Sequence, residues 1–256
     1  MPTSSSKNRD YLYTFLGVLT IVVGWQLLSM HYNRVLMPSP ADTLRALFDI
    51  YSSGELIENL KISFNRQLIG LAVGTILGLV TGIMAGINRK LELIIQPLTR
   101  LLLAVPAIVF VVMAMVWFGM GSTMAIFLVS LLVYPIMHVN TVQGFKSIDS
   151  KLLEMGKVYR LPGIIKVKKI YLPGLTYSVV AGFSLATASS VRLTVMAELL
   201  GAREGIGQKI AISRAYLQID NLFAWVLVLI LIIVLLEWFI IRPLNKFSAR
   251  WKENYQ

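Results

Sequence analysis

The 256-residue sequence contains no cysteine, which excludes disulfide frameworks, thiolate metal sites and a cysteine nucleophile. It has two histidines, His31 and His138. They lie in different apolar runs with no cysteine to join them, so no metal site is expected. Charge is scarce at 14% of residues, against about 25% in ordinary soluble proteins. That scarcity excludes a disordered chain, a coiled coil and most water-soluble domains. No stretch reads G-x-x-x-x-G-K-[ST], so the chain cannot cradle nucleotide phosphates in the usual way. Gly201, Gly205, Ile206 and Gly207 follow an apolar helix rather than a strand, which rules against a dinucleotide loop and leaves a tight turn.

What the chain has instead is apolar length. Hydrophobic residues make up 56% of it, and the mean hydropathy is +0.71. Apolar runs fall at 11–31, 67–87, 93–118, 122–141, 174–200 and 221–241. At about 20 residues per crossing, these predict an all-α membrane protein of six transmembrane helices, a single transmembrane domain over 1–256. The first run is too long for a signal-peptide core and no small-residue cleavage site follows it. Pro97 and Pro106 in the third run and Pro135 in the fourth predict bent helices.

The net charge of +11 would suggest nucleic acid in a soluble protein, but here it orients the chain. Segments 1–10, 88–92, 142–171 and 242–256 hold 15 basic residues, whereas 32–66 and 199–220 hold seven. That bias places both termini in the cytoplasm.

Between the first two runs, Ser39-Pro40-Ala41-Asp42 reads as a helix N-cap, a first-turn proline and a first-turn acid. Leu44, Leu47, Phe48 and Tyr51 then give an amphipathic surface helix, ended by Ser52-Ser53-Gly54. A second short helix is expected from there to the second run. That run carries Gly70, Gly74, Gly78, Gly82 and Gly86, a stripe of one glycine per four residues for close helix packing, within the chain or across a dimer.

Segment 144–173 is the longest inside loop. Asp149 or Ser150 caps a helix, Pro162-Gly163 breaks it, and a basic stretch leads to Leu172-Pro173. On physical grounds it either docks a partner or anchors to anionic lipid.

This segment resembles the EAA loop of permease subunits of bacterial ABC importers. The pattern runs from Glu154 through Met155 and Gly156, where the family has alanines, to Ile170, Leu172 and Pro173 at the family's spacing. Arg160 stands in place of the motif glycine, with Pro162 and Gly163 just beyond. Met37-Pro38-Ser39-Pro40, Gln96-Pro97 to Pro106, Trp117-Phe118-Gly119-Met120-Gly121 and Ala197-Glu198-Leu199-Leu200 extend the likeness to the nitrate/sulfonate/taurine/bicarbonate permeases. The resemblance implies the type I importer permease fold in the bacterial cytoplasmic (inner) membrane and a second copy of the chain. It also implies two cytoplasmic ATPase subunits, gripped through 154–173, and an extracytoplasmic binding protein. ATP and Mg would bind the partner subunits, with no cofactor and no catalytic residue in this chain.

Several residues within the spans can bear on transport. Arg192 sits mid-span among Ser189, Ser190 and Thr194. It either attracts an anion in a translocation path or pairs with a carboxylate such as Glu198. Arg100 either snorkels to the interface or lines the path. Glu198 either acts at the outer gate or in binding-protein docking, or is a helix-end carboxylate partnered by Arg203. Glu237-Trp238 reads as interfacial.

The function expected is therefore import of a small, anionic solute by alternating access, driven by separate ATPases. Alternatives are the same machinery carrying a thiamine-precursor-like molecule, a secondary transporter working without ATP, or an assembly protein without transport. A secondary carrier would want paired intramembrane carboxylates or internal repeats, and the sequence offers neither.

Overall fold

The computed structural model describes residues 4–33, 36–244 and 246. All regular structure among them is helical: α1 (Ser4–His31), α2 (Pro40–Ser52), α3 (Glu55–Ile87), α4 (Arg89–Ala104), α5 (Ala107–Phe118), α6 (Ser122–Lys146), α7 (Ser150–Val158), α8 (Gly163–Lys166), α9 (Leu172–Gly201), α10 (Ile206–Ala215) and α11 (Ile219–Leu236). Among the described residues, four stretches are long and apolar enough to cross a membrane, namely α3, α6, α8 running into α9, and α11 with its continuation to Leu244, and α4 with α5 makes a fifth if the two are taken together.

The described residues divide into two compact units, one up to Glu58 with Lys209–Val228, the other Asn59–Gln208 with those from Leu229 on. In the first, Ser39 caps α2: its Oγ accepts from the Asp42 amide at 3.1 Å and donates to the Asp42 carboxylate at 2.7 Å. Thr43, Ala46 and Ile50 of α2 are buried, whereas Leu44, Phe48 and Tyr51 are exposed. Trp25 Nε1 donates to the Pro38 carbonyl at 2.9 Å.

The second unit is built on the glycine stripe. Gly70 faces Val129, Gly74 faces Val133, Gly78 faces Met137, Gly82 faces Thr141 and Gly86 faces Phe145. Every pair is the same distance apart in sequence, so α3 and α6 run parallel and in register. The stripe therefore packs within the chain. In lipid such contact must come from van der Waals packing, which the missing Cβ atoms allow. A third helix, α9, runs antiparallel to α6, with Gly182 against Asn140 and Gly201 against Met124. Leu71, Val129, Val133, Met137 and Ala186 fill the space among the three.

The structure corrects one expectation and refines another. The short helix expected before the second span does not exist separately; α3 is continuous over 33 residues, about 50 Å at 1.5 Å per residue. The run 93–118, expected to bend at its prolines, folds as two helices, α4 and α5, that meet at 100° around Val105 and Pro106. Proline at 106 has no amide to continue the α4 ladder, and Val105 before it is driven to extended backbone. Because α3 and α6 are parallel, α4 and α5 must together return the chain from the end of α3 to the level of Ser63, where α6 begins. The first expected span, 11–31, lies within the 28-residue α1.

Candidate functional site

The segment after α6 folds as a helix, a turn and a second helix. Asp149 caps α7, its carboxylate accepting from the Lys151 amide at 2.9 Å. At the other end the Arg160 amide donates to Lys157 O at 3.0 Å and the Leu161 amide to Gly156 O at 3.1 Å. This is the Schellman pattern, in which the residue at the Arg160 position turns left-handed. Arg160 does so, with φ 46°. The turn that glycine makes in the family pattern is thus made here by an arginine. Left-handed backbone costs a side-chain-bearing residue about 1–2 kcal/mol, and glycine loses some of that gain to chain entropy. Arg160→Gly is expected to stabilise the protein by about 0.5–1 kcal/mol, read as a raised thermal midpoint. An unchanged or lowered midpoint would show that the arginine side chain holds the turn.

Of the sequence-predicted coupling residues, Glu154, Met155, Arg160, Pro162, Gly163 and Leu172 are exposed. Gly156 and Ile170 are buried against each other; a Cβ on Gly156 would lie 3.1 Å from Ile170 Cδ1. Pro173, partly buried, opens α9. Val167–Tyr171 form a π-helical turn that joins α8 to α9. The segment thus presents an exposed α7, with Leu152, Met155 and Val158 outward, keyed onto the foot of α9.

At the opposite end of α9, Glu198 is fully buried. Arg66 Nη1 donates to its Oε1 at 2.9 Å. Ser63 Oγ and the Gly207 amide donate to its Oε2 at 2.8 and 3.0 Å. Arg66 also donates through Nη1 to Glu204 O at 2.6 Å and through Nε to Ser122 Oγ at 2.9 Å. The Gly205 amide donates to Asn59 Oδ1 and the Ile206 amide to Ser63 Oγ, each at 2.9 Å. Free amides at the start of α10 are thereby satisfied by α3 and α9 side chains, and the carboxylate sits at the positive end of α10. Gly205, at φ 106°, and Gly207 leave room that a Cβ would take from the Glu198 side chain.

This arrangement corrects the expectation for Glu198. Its partner is Arg66, not Arg203, which is exposed in the turn before α10. A fully buried carboxylate offers nothing to a docking protein, so of gate and docking only a gate role remains to be proposed. The same pair removes Glu198 as a partner for Arg192.

Arg192 is exposed on α9, with Ser189 half-buried three residues before it. Ser190 and Thr194 turn inward instead. Ser190 donates to Thr187 O at 2.8 Å and accepts from Gln67 Nε2 at 3.1 Å. Thr194 is buried without a hydrogen-bond partner among the described residues, at the wall of a cavity of about 50 Å³. Neither hydroxyl shares the Arg192 face. Arg100 is exposed on α4.

Sequence reasoning missed Arg66, counted as a loop cation, together with Asn59, Ser63 and Gln67. The signal was present: these residues continue the glycine stripe upward at helical spacing, a polar face at the mouth of an apolar helix.

Residues 74–244 match the family model described as binding-protein-dependent transport system inner membrane component. A Bacillus subtilis (strain 168) protein named as an aliphatic sulfonates transport permease is 27% identical over 98% of this chain and 91% of its own length. Its Escherichia coli (strain K12) namesake is 32% identical over 78% of this chain and 77% of its own. The taurine transport system permease of Escherichia coli (strain K12) is 23% identical over 94% and 90%. In structure, the chain resembles an inward-facing methionine ABC transporter, with TM-score 0.64, 17% identity and coverage of 77% of this chain and 95% of the other. An amino acid ABC transporter gives the same TM-score at 12% identity, covering 80% and 97%.

Proposed function

The chain belongs to the binding-protein-dependent transport system inner membrane components, as a non-enzymatic permease subunit of an ABC importer, and on that premise we propose how it works. Two copies form a path for a small anionic solute of the sulfonate class. Two cytoplasmic ATPase subunits grip the exposed α7 and the turn after it, and their closure moves the permease by alternating access. Both termini lie on the ATPase side. A loaded binding protein docks at the opposite face, around 32–66 and 199–220.

The observation that carries this reading is the form of segment 147–173. Glu154, Met155 and Arg160 stand outward, while Gly156 on Ile170 ties the same helix to the foot of α9. A force applied to α7 therefore reaches a membrane-crossing helix without a slack loop between. Arg160, Pro162 and Gly163 set the turn, and Ile170, Leu172 and Pro173 set the junction with α9.

Arg192, exposed in the middle of α9, supports an anionic solute, since a charge at that depth faces water or protein. The names of the sulfonate and taurine relatives point the same way. In this reading Ser189 lines the path beside Arg192, Ser190 and Thr194 support the helix behind it, and Arg100 stands on the inner approach. Glu198 holds the outer gate in place through Arg66.

The test is co-purification of the chain with its ATPase subunits from native membranes. The wild-type chain is expected to bring down a nucleotide-binding subunit, and Met155→Asp is expected to reduce recovery at least about tenfold, the effect of roughly 1.4 kcal/mol of lost binding. Recovery of no such subunit, with solute uptake intact, would favour the secondary carrier.

A further inference from the structure

The foot of α6 is held from three directions. A Cβ on Gly86, at the end of α3, would enter the Phe145 ring, and one on Gly174, in α9, would lie 2.7 Å from Ile148 Cγ1. The Phe145 ring also lies 5.7 Å from that of Tyr171. These two grips are close packing. The third is ionic: Lys146 Nζ, on the last residue of α6, donates to Glu92 Oε1 at 2.6 Å, and Arg89 Nη1 donates to Glu92 Oε2 at 2.6 Å. Only 9% of the Glu92 side chain is exposed.

Beside this clasp α4 and α6 do not close on each other. A cavity of about 190 Å³ separates them, lined by Gln96 and Thr99 from α4 and by His138, Val142 and Gln143 from α6. The ion pair spans the edge of that opening. The Glu92 carboxylate is buried and bonded by two cations that reach it from the surface, which ties the start of α4 to the end of α6 in one register. Lys146 is four residues before α7 begins, and Glu92 is in the first turn of α4, whose far end bends by 100° into α5.

We propose that Glu92 and Lys146 are positioning residues that carry displacement of the coupling segment into the bent α4–α5 element, with the neighbouring cavity giving α4 room to pivot. The proposal rests on the ATP-driven reading above. About half of the Lys146 side chain is exposed, so the pair adds little to stability, and the charges here serve register and transmission.

The absence of cysteine makes the experiment direct. Single spin labels are placed at Val158→Cys on α7 or Val116→Cys on α5, both 78% exposed. The importer is assembled with its ATPase subunits in lipid nanodiscs, and the label-to-label distance between copies is measured with and without ATP and Mg. In the wild type and in Lys146→Arg, both positions are expected to shift on ATP binding. In Lys146→Met, where Arg89 still satisfies Glu92, and in the Glu92→Met/Lys146→Met pair, the shift at 158 is expected to persist and that at 116 to be lost. A wild-type shift at 116 in either variant would overturn the clasp and leave the functional reading standing. No ATP-dependent shift at 158 in the wild type would overturn that reading and the clasp with it.

Discussion

Arg66→Met, with Glu198 left in place, is expected to cost about 3–5 kcal/mol of stability, the loss typical of a buried ion pair deprived of one partner. The reason is what remains behind. Glu198 is fully buried and would keep its bonds from Ser63 and Gly207 but lose the cation bonded to it. The Glu204 carbonyl and the Ser122 hydroxyl would lose their arginine donor as well. Replacing both partners, Arg66→Met with Glu198→Met, removes the stranded charge and is expected to recover a large part of the loss. Thermal unfolding of the purified chain in nanodiscs measures all three, and a double-mutant cycle gives the coupling energy. A loss below about 1 kcal/mol for Arg66→Met alone would mean the pair is solvated and behaves as a surface bridge.

That pair also marks where the sequence stops being informative. Local features were legible: the Ser39 cap of α2, the Asp149 cap of α7 and the glycine stripe each follow from short-range spacing, and each is found where spacing puts it. The Arg66–Glu198 bond joins residues 132 positions apart, and no periodicity reports a contact of that range. The nearest visible cation, Arg203, was the natural candidate by sequence, yet the turn at Gly205 brings the start of α10 back over Glu198 and leaves Arg203 outside. What could have been read is the polar face of Asn59, Ser63 and Arg66 in line with the stripe. Polar side chains on the packing face of a membrane helix require partners.

The bend after α4 shows a second kind of limit. Pro106 announced a break, but proline fixes only the local backbone. The size of the turn comes from where α5 packs, with Phe110, Val111 and Ala114 buried against Met124 and Leu128 of α6. Arg160 is the opposite case: an arginine stands where the pattern has glycine, and the cap hydrogen bonds of α7 keep the turn there with the arginine in left-handed backbone.

The other large effect is expected at the stripe. A Cβ at Gly78 would sit 2.6 Å from Met137 Cβ, 2.7 Å from Tyr134 O and 3.0 Å from the His138 amide nitrogen. Two of those three atoms are backbone, so no rotamer change relieves the clash, and α3 must move away from α6. Once it moves, contacts on both sides of Gly78 loosen together, because Gly74 and Gly82 share the same register. In lipid no hydrophobic penalty opposes the separation, since acyl chains fill the gap as well as leucine does. Gly78→Val is therefore expected to cost about 3 kcal/mol, the upper end of ordinary overpacking, with Gly78→Ala losing less. Gly24 is the control, because among the described residues no atom outside its own stretch of helix lies within 4 Å of its notional Cβ; Gly24→Val is expected to leave the thermal midpoint near that of the wild type. Equal midpoints for the two valine variants would mean that α3 and α6 do not meet along this face. A graded loss from alanine to valine at 78, absent at 24, is the pattern close helix contact requires.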